Sequence, residues 1–95
     1  MKFFVKMAVF ETHADDKAIR NAVGGQIQKI MTSGKLESAG AFGDIRGAYM
    51  VVNAASAAEL QELIGLPILT NMHVECHPLM SIEELGAFFK KHENE

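Results

Sequence analysis

The chain of 95 residues contains one cysteine, no tryptophan, one tyrosine and two prolines. Cys76 alone can form neither an internal disulfide nor a cysteine-based zinc cluster, so a reducing compartment fits the chain. A basic surplus is also missing. Lys plus Arg number 9 against 12 Asp plus Glu, a formal net charge of −3, which excludes the usual footprint of a nucleic-acid binder and of a polybasic membrane patch. No apolar run approaches the roughly 18 residues of a membrane span, and the start, with Lys2 and Lys6 among short apolar stretches, lacks a signal-peptide pattern. A soluble cytoplasmic protein is expected, with neither nucleic acid nor membrane as partner. Gly24-Gly25, Gly40, Gly43 and Gly47 do not form a phosphate-binding fingerprint, because none follows a strand and opens a helix at the needed spacing.

What is present reads as one globular domain, residues 1–95, with 48% hydrophobic and 22% charged residues. Phe3 to Phe10 alternates as a strand, with Phe3, Val5, Met7 and Val9 on one face and Phe4, Lys6, Ala8 and Phe10 on the other. Both faces are largely apolar, so both are expected to be covered. Asp15 is the expected N-cap of a helix carrying Ile19, Val23, Ile27, Ile30 and Met31 at helical spacing, with Asp16 and Arg20 placed to pair. Gly24-Gly25 interrupts this helix, read as a site of close packing on a sheet, and Gly34 ends it. A hairpin follows, with strands at Leu36–Phe42 and Ala48–Asn53. Ser56 with Glu59 marks a capping box for a short helix that Gly65 and Pro67 stop. Met72 to Leu79 is the fourth strand, and Ser81 with Glu84 opens a last helix.

The order β-α-β-β-α-β is the split βαβ of the ferredoxin-like α+β fold, here with a C-terminal helix. Its sheet carries helices on one face only. Strand one is apolar on both faces, and Met50, Val52, Ala39 and Ala41 are assigned to the bare side with it, whereas Tyr49 is assigned to the helix side. A monomer would expose more apolar surface than is usually tolerated. A homodimer, sheet against sheet, or a larger homo-oligomer is therefore expected.

The densest polar cluster is Met72-His73-Val74-Glu75-Cys76-His77-Pro78. Period-two alternation puts His73, Glu75 and His77 on one face and Met72, Val74 and Cys76 on the other. The apolar set should face the helices and the polar set the open side, with Lys6 beside it. Three readings compete. The polar side chains could protect an edge strand from aggregation. They could form an acid/base site in a dimer cavity, with Glu75, His73 and His77 as proton carriers and Lys6 or Arg46 holding an anionic substrate group. Two imidazoles and a carboxylate could also suit zinc or iron. Phe4, Phe10 and Met50 can supply apolar pocket walls. His13 could reach the mouth of such a cavity, because its loop follows strand one. His92 lies in the tail.

The opening nine residues, Met-Lys-Phe-Phe-Val-Lys-Met-Ala-Val, resemble the start of the muconolactone Δ-isomerases. So does the stretch from Ala54 to Leu79, with Ser56, Glu59-Leu60, Glu62-Leu63, Gly65-Leu66-Pro67-Ile68-Leu69 and the strand that ends in Pro78-Leu79. The resemblance implies a ferredoxin-like subunit of the dimeric α+β barrel superfamily, a large oligomer, no metal or other cofactor, and a proton-transfer shift of a double bond in a lactone or related carboxylate. The middle departs from the family. The first helix carries Gly24-Gly25 where the family has charged and aromatic residues, tryptophan is absent, the family's Gly-Arg-Tyr pattern is reduced to Asp44-Ile45-Arg46-Gly47, and the helix from Ser81 is additional. Two alternatives stand beside the isomerase: a cofactor-free monooxygenase of the same superfamily, and a non-catalytic ligand-binding or structural oligomer.

Overall fold

A computed structural model describes residues 1–10 and 15–93. Strand β1 spans Lys2–Val9, helix α1 Lys17–Thr32, β2 Leu36–Ala41, β3 Gly47–Asn53, α2 Ala57–Ile64, α3 Leu66–Leu69, β4 Met72–Pro78 and α4 Ile82–Lys91. The strands form one sheet in the order β2-β3-β1-β4, with every neighbouring pair antiparallel. This is the expected α+β, ferredoxin-like arrangement with a C-terminal helix. His13 falls outside the described residues.

Local chemistry sets the helix ends, with some shifts from expectation. Asp16, rather than Asp15, caps α1 and accepts a hydrogen bond from the Ile19 N–H at 3.0 Å. The Asp16 carboxylate is thus used by the cap, and the Arg20 N–H bonds the Asp16 carbonyl at 3.0 Å. Gly24 and Gly25 do not interrupt α1. A Cβ at either position would meet no atom within 4 Å, so close packing inside the subunit is not what these glycines serve. Gly34 follows the helix at φ 79°, the left-handed conformation that glycine adopts without a Cβ penalty.

At α2, Ser56 accepts from the Glu59 N–H at 3.1 Å, but the Glu59 carboxylate accepts from Ala55 N–H at 3.0 Å and pairs with Lys35. Half of the expected capping box is therefore redirected by a cation from the neighbouring loop. Gly65, at φ 82°, ends α2 as expected. The chain then restarts as the single turn α3, with Pro67 in its first turn, where a missing N–H costs nothing. Pro67 was expected only to confirm a stop. Ser81 and Glu84 complete the capping box of α4.

Helices α1, α2 and α3 cover one face of the sheet. The core joins Phe3, Val5 and Met7 of β1, Met50 and Val52 of β3 and Met72 of β4 to Ile30, Leu60, Ile64 and Ile68 of the helices. Val74 and Cys76 are packed at its margin, as the alternation of β4 requires. The register corrects the reading of β3. Val5 lies opposite Met50 and Phe3 opposite Val52, so these β3 side chains share the helix-covered face. Met50 is 3% exposed and is not available on the bare face. Ala39 and Ala41 follow Met50 and Ala48 to the helix side. Tyr49, opposite Lys6, takes the bare face instead. Both sets of β3 side chains are apolar enough for either face, so alternation alone left the one-residue choice open.

Among the described residues no helix is long and apolar enough to cross a membrane. Ile64 is fully buried. Ile64→Ala should destabilise the domain by about 2–5 kcal/mol, through lost transfer energy and the cavity left behind. Urea unfolding monitored by circular dichroism checks this, and an unchanged midpoint would contradict the assigned core.

Candidate functional site

Strand β1 lies at the centre of the bare face, flanked by β3 and β4. Pairing with β4 sets Phe4 opposite His77, Lys6 opposite Glu75 and Ala8 opposite His73. Pairing with β3 sets Phe4 opposite Val51 and Lys6 opposite Tyr49. One row across the sheet therefore reads Tyr49, Lys6, Glu75. Side chains opposite each other on antiparallel strands start about 4.5–5.5 Å apart at Cβ, so the Lys6 and Glu75 heads can converge on a ligand of a few atoms.

Glu75 and His77 approach within 3.8 Å, Oε2 to Nε2, and each is 63% exposed. His73 sits further along β4, edge-on to the Phe10 ring at 4.3 Å between centroids. On the other side of Lys6 the rings of Phe4 and Tyr49 stack at 5.8 Å, and Phe42 meets Tyr49 at 6.0 Å. The Lys6 ammonium lies 5.7 Å from the centre of the Phe42 ring, within cation–π range. The bare face thus has an aromatic half on β1 and β3 and a polar half along β4, with Lys6 between them.

The structure brings together Lys6, Glu75, His77 and Phe4 of the expected set. His73 and Phe10 form a second pair one step along the sheet. Arg46 stands apart in the β2–β3 loop, where its guanidinium lies 4.0 Å from Asp15 and is exposed. Its carbonyl accepts from the Val9 N–H at 2.9 Å. Met50 belongs to the core, as described above. Among the described residues no three His, Cys, Asp or Glu side chains form a group that could hold a metal ion. His73 and His77 are four residues apart on an extended strand, roughly 13 Å at the backbone.

Two groups have perturbed acidity, Cys76 on the helix-covered face and Glu37 on β2, beside Lys2 and Asn53 at the far end of the bare face. Burial pushes the Cys76 thiol up, which makes it a poorer nucleophile at neutral pH. Glu37 is held below the usual carboxylate range, chiefly by a hydrogen bond from the Asn53 side chain at 2.9 Å and also by Lys2. Its side chain is 36% exposed, so this is a local surface effect.

Sequence reading missed Tyr49 and Phe42 as part of the bare face. The available signal was the register imposed by β1. It also missed an almost wholly apolar groove of about 260 Å³ on the opposite side of the sheet. Ile27, Ile30 and Met31 of α1 wall it, and Ala39, Ala41 and Ala48 line the strands beneath. The run of small residues in β2 and β3 was its trace in the sequence.

No family model matches the chain, and no curated protein matches it. Among solved structures, the crystal structure of muconolactone isomerase at 3.3 Å superposes with a TM-score of 0.67, over 85% of this chain and 90% of that one, at 23% identity. The chain therefore has a muconolactone isomerase-like fold.

Gly40 gives a direct probe of the bare face. A Cβ there would lie 2.7 Å from Tyr49 Cε1 and 2.9 Å from its hydroxyl. Tyr49 is the sole tyrosine and tryptophan is absent, so tyrosine emission reports this ring alone. Gly40→Ala should alter that emission while leaving the far-ultraviolet dichroism intact. Unchanged emission would mean that the ring does not lie over β2.

Proposed function

We propose that the bare sheet face is the site of a small-molecule isomerase, which shifts a double bond in a lactone or related carboxylate by proton transfer. A second copy of the chain covers the face in this reading. The observation that carries it is the row on adjacent strands: Lys6 opposite Glu75, with His77 at 3.8 Å from the same carboxylate. The shared fold with muconolactone isomerase agrees with it.

The chemistry follows from those groups. An unsaturated lactone carries a C–H bond acidified by the neighbouring carbonyl. Glu75 accepts that proton, the electron pair moves onto the carbonyl oxygen as a dienolate, and a proton returns to the far carbon. Atoms and charge balance, because the proton taken is the proton given back. Lys6 holds the substrate carboxylate and stabilises negative charge as it develops. His77 is placed to orient Glu75 or to pass the proton on. Phe4 and Tyr49 form an apolar wall along the ring.

In a lone subunit Glu75 is 63% exposed. A second copy packed on this face excludes water from the Lys6–Glu75 row, where both groups then act more strongly on a substrate. It also removes the exposed apolar surface of Phe4, Phe42 and Tyr49. A homodimer or larger homo-oligomer is therefore part of the proposal, and neither metal nor cofactor is required by the steps above.

Turnover of muconolactone in D2O, followed by proton NMR, tests the reading. Glu75→Gln should keep the fold and lower kcat by about 10²-fold or more, the usual worth of general acid–base catalysis. Lys6→Met should raise KM and also lower kcat. Equal turnover by wild type and Glu75→Gln would remove Glu75 as the base, and no turnover by wild type would remove the proton-shift reading. Binding without turnover in both would replace it with a non-catalytic ligand-binding oligomer.

A further inference from the structure

Two apolar surfaces outside the bare sheet face lack a partner among the described residues. One is the groove between α1 and β2. The other is α4. On a helical projection Ile82, Leu85, Phe88 and Phe89 fall within one 120°-wide stripe, whereas Glu83, Glu84, Lys90 and Lys91 fall on the other side. Ile82 is 79% exposed, Phe88 51% and Phe89 61%. No residue of α4 is buried, and the helix has no substantial packing against any other element.

We propose that α4 of a second copy docks in this groove and seats its phenylalanine pair over Ala39, Ala41 and Ala48. The capped ten-residue α4 is shorter than the roughly 12–15 residues at which an isolated helix becomes even marginal in water. Its capping box and end charges do not replace a packing surface, so α4 needs one. It does not enter its own groove: Leu79 to Ser81 and Glu84 lie beside Met1, Lys2 and Asn53 at the end of the sheet. The groove lies by β2, at the opposite sheet edge from β4. Helix α3 packs on both β4 and α1 and so stands in the path across the helix layer. The link from β4 to α4 is only residues 79–81, about 10 Å at full stretch. The subunit is accordingly long, 56 × 28 × 20 Å.

The match is chemical as well as topological. A dry cavity of about 150 Å³ accommodates benzene, so about 260 Å³ suits one phenyl ring fully and a second at the mouth. Phe88 and Phe89 present such a pair, with ring centres 5.9 Å apart and edges turned to faces. The bare sheet face is a poorer match for this stripe, because it carries the charged pair Lys6 and Glu75 where the groove is almost wholly apolar. Reciprocal exchange of α4 between two copies closes on a two-fold axis. At roughly 150–250 Å² for a whole phenylalanine, the exposed parts of the two rings add about 200 Å² per copy. A stable dimer needs about 800 Å² per partner, so this exchange supplements a larger contact and does not replace it.

The test uses the full chain in a Cys76→Ser background. One chain carries Phe89→Cys and a differently tagged one Met31→Cys, since Met31 stands at the groove and is 58% exposed. Mild oxidation of the mixture should give the mixed disulfide between the two chains as the main product. Ala41→Trp, at an exposed edge position of the groove, and Phe88→Asp with Phe89→Asp should each weaken self-association at least ten-fold by sedimentation. Ala87→Asp, on the polar side of α4, should not. A dominant Phe89→Cys homodisulfide would show that α4 pairs with α4, and an internal disulfide in a chain carrying both cysteines, with no mixed product, would show docking in cis. Either result overturns the proposal, as does an unchanged association constant in Ala41→Trp. Glu75 and Lys6 are untouched by these variants, so failure here is separable from failure of the isomerase reading.

Discussion

The register of β1 between its two neighbours is the constraint on which the other features depend. Val5 lies opposite both Met50 and Cys76, and Lys6 lies opposite both Tyr49 and Glu75. With a side-chain period of two, that pairing divides the sheet into two chemistries. One face receives Phe3, Val5, Met7, Met50, Val52 and Met72 and closes beneath three helices. The other receives Lys2, Lys6, Glu75, two imidazoles and a set of aromatic rings. A slip of one residue would bury Lys6 and Glu75 under α1 and α3 and expose the core, which would cost several kcal/mol for each unpaired buried charge. The hydrophobic core thus fixes the polar row without touching it.

The parts of this arrangement that were legible in the sequence are those with local causes. The alternation of β1, the polar set of β4, the Ser81–Glu84 capping box and the stop at Gly34 each follow from residues a few positions apart. The parts that were not legible depend on tertiary partners. Ala48, Met50 and Val52 on one side of β3, and Tyr49 and Val51 on the other, are nearly interchangeable by polarity, and only pairing to β1 separates them. Glu59 completes no capping box because Lys35, brought in by the turn after α1, competes for its carboxylate. Pro67 starts a turn as readily as it stops one, and the choice of α3 comes from Ile68 reaching the core. Gly24 and Gly25 stay helical within α1, so their cost in propensity, about 1 kcal/mol each, is met by the packing of Val23, Ile27 and Ile30 around them. The candidate site was legible where strand alternation decided it, at Lys6, Glu75 and His77. It was illegible at Arg46, whose position depends on a loop.

The subunit has more apolar surface than it can cover alone. The aromatic half of the bare face, the groove beside β2 and the stripe on α4 are three separate regions, and none of them is covered by another element among the described residues. Association would cover all three while drying the Lys6–Glu75 row. In this account assembly and chemistry are coupled, because the same water whose expulsion favours association is the water that would screen Lys6 and Glu75 from a substrate.

Light scattering coupled to size-exclusion chromatography at micromolar concentration addresses that coupling most directly. A mass of at least twice 10.4 kDa, retained on dilution through the micromolar range, is the result predicted for a sheet that needs both faces covered. A stable, active particle of 10.4 kDa would contradict it, because the bare face would then carry its aromatic rings, and do its chemistry, in open water.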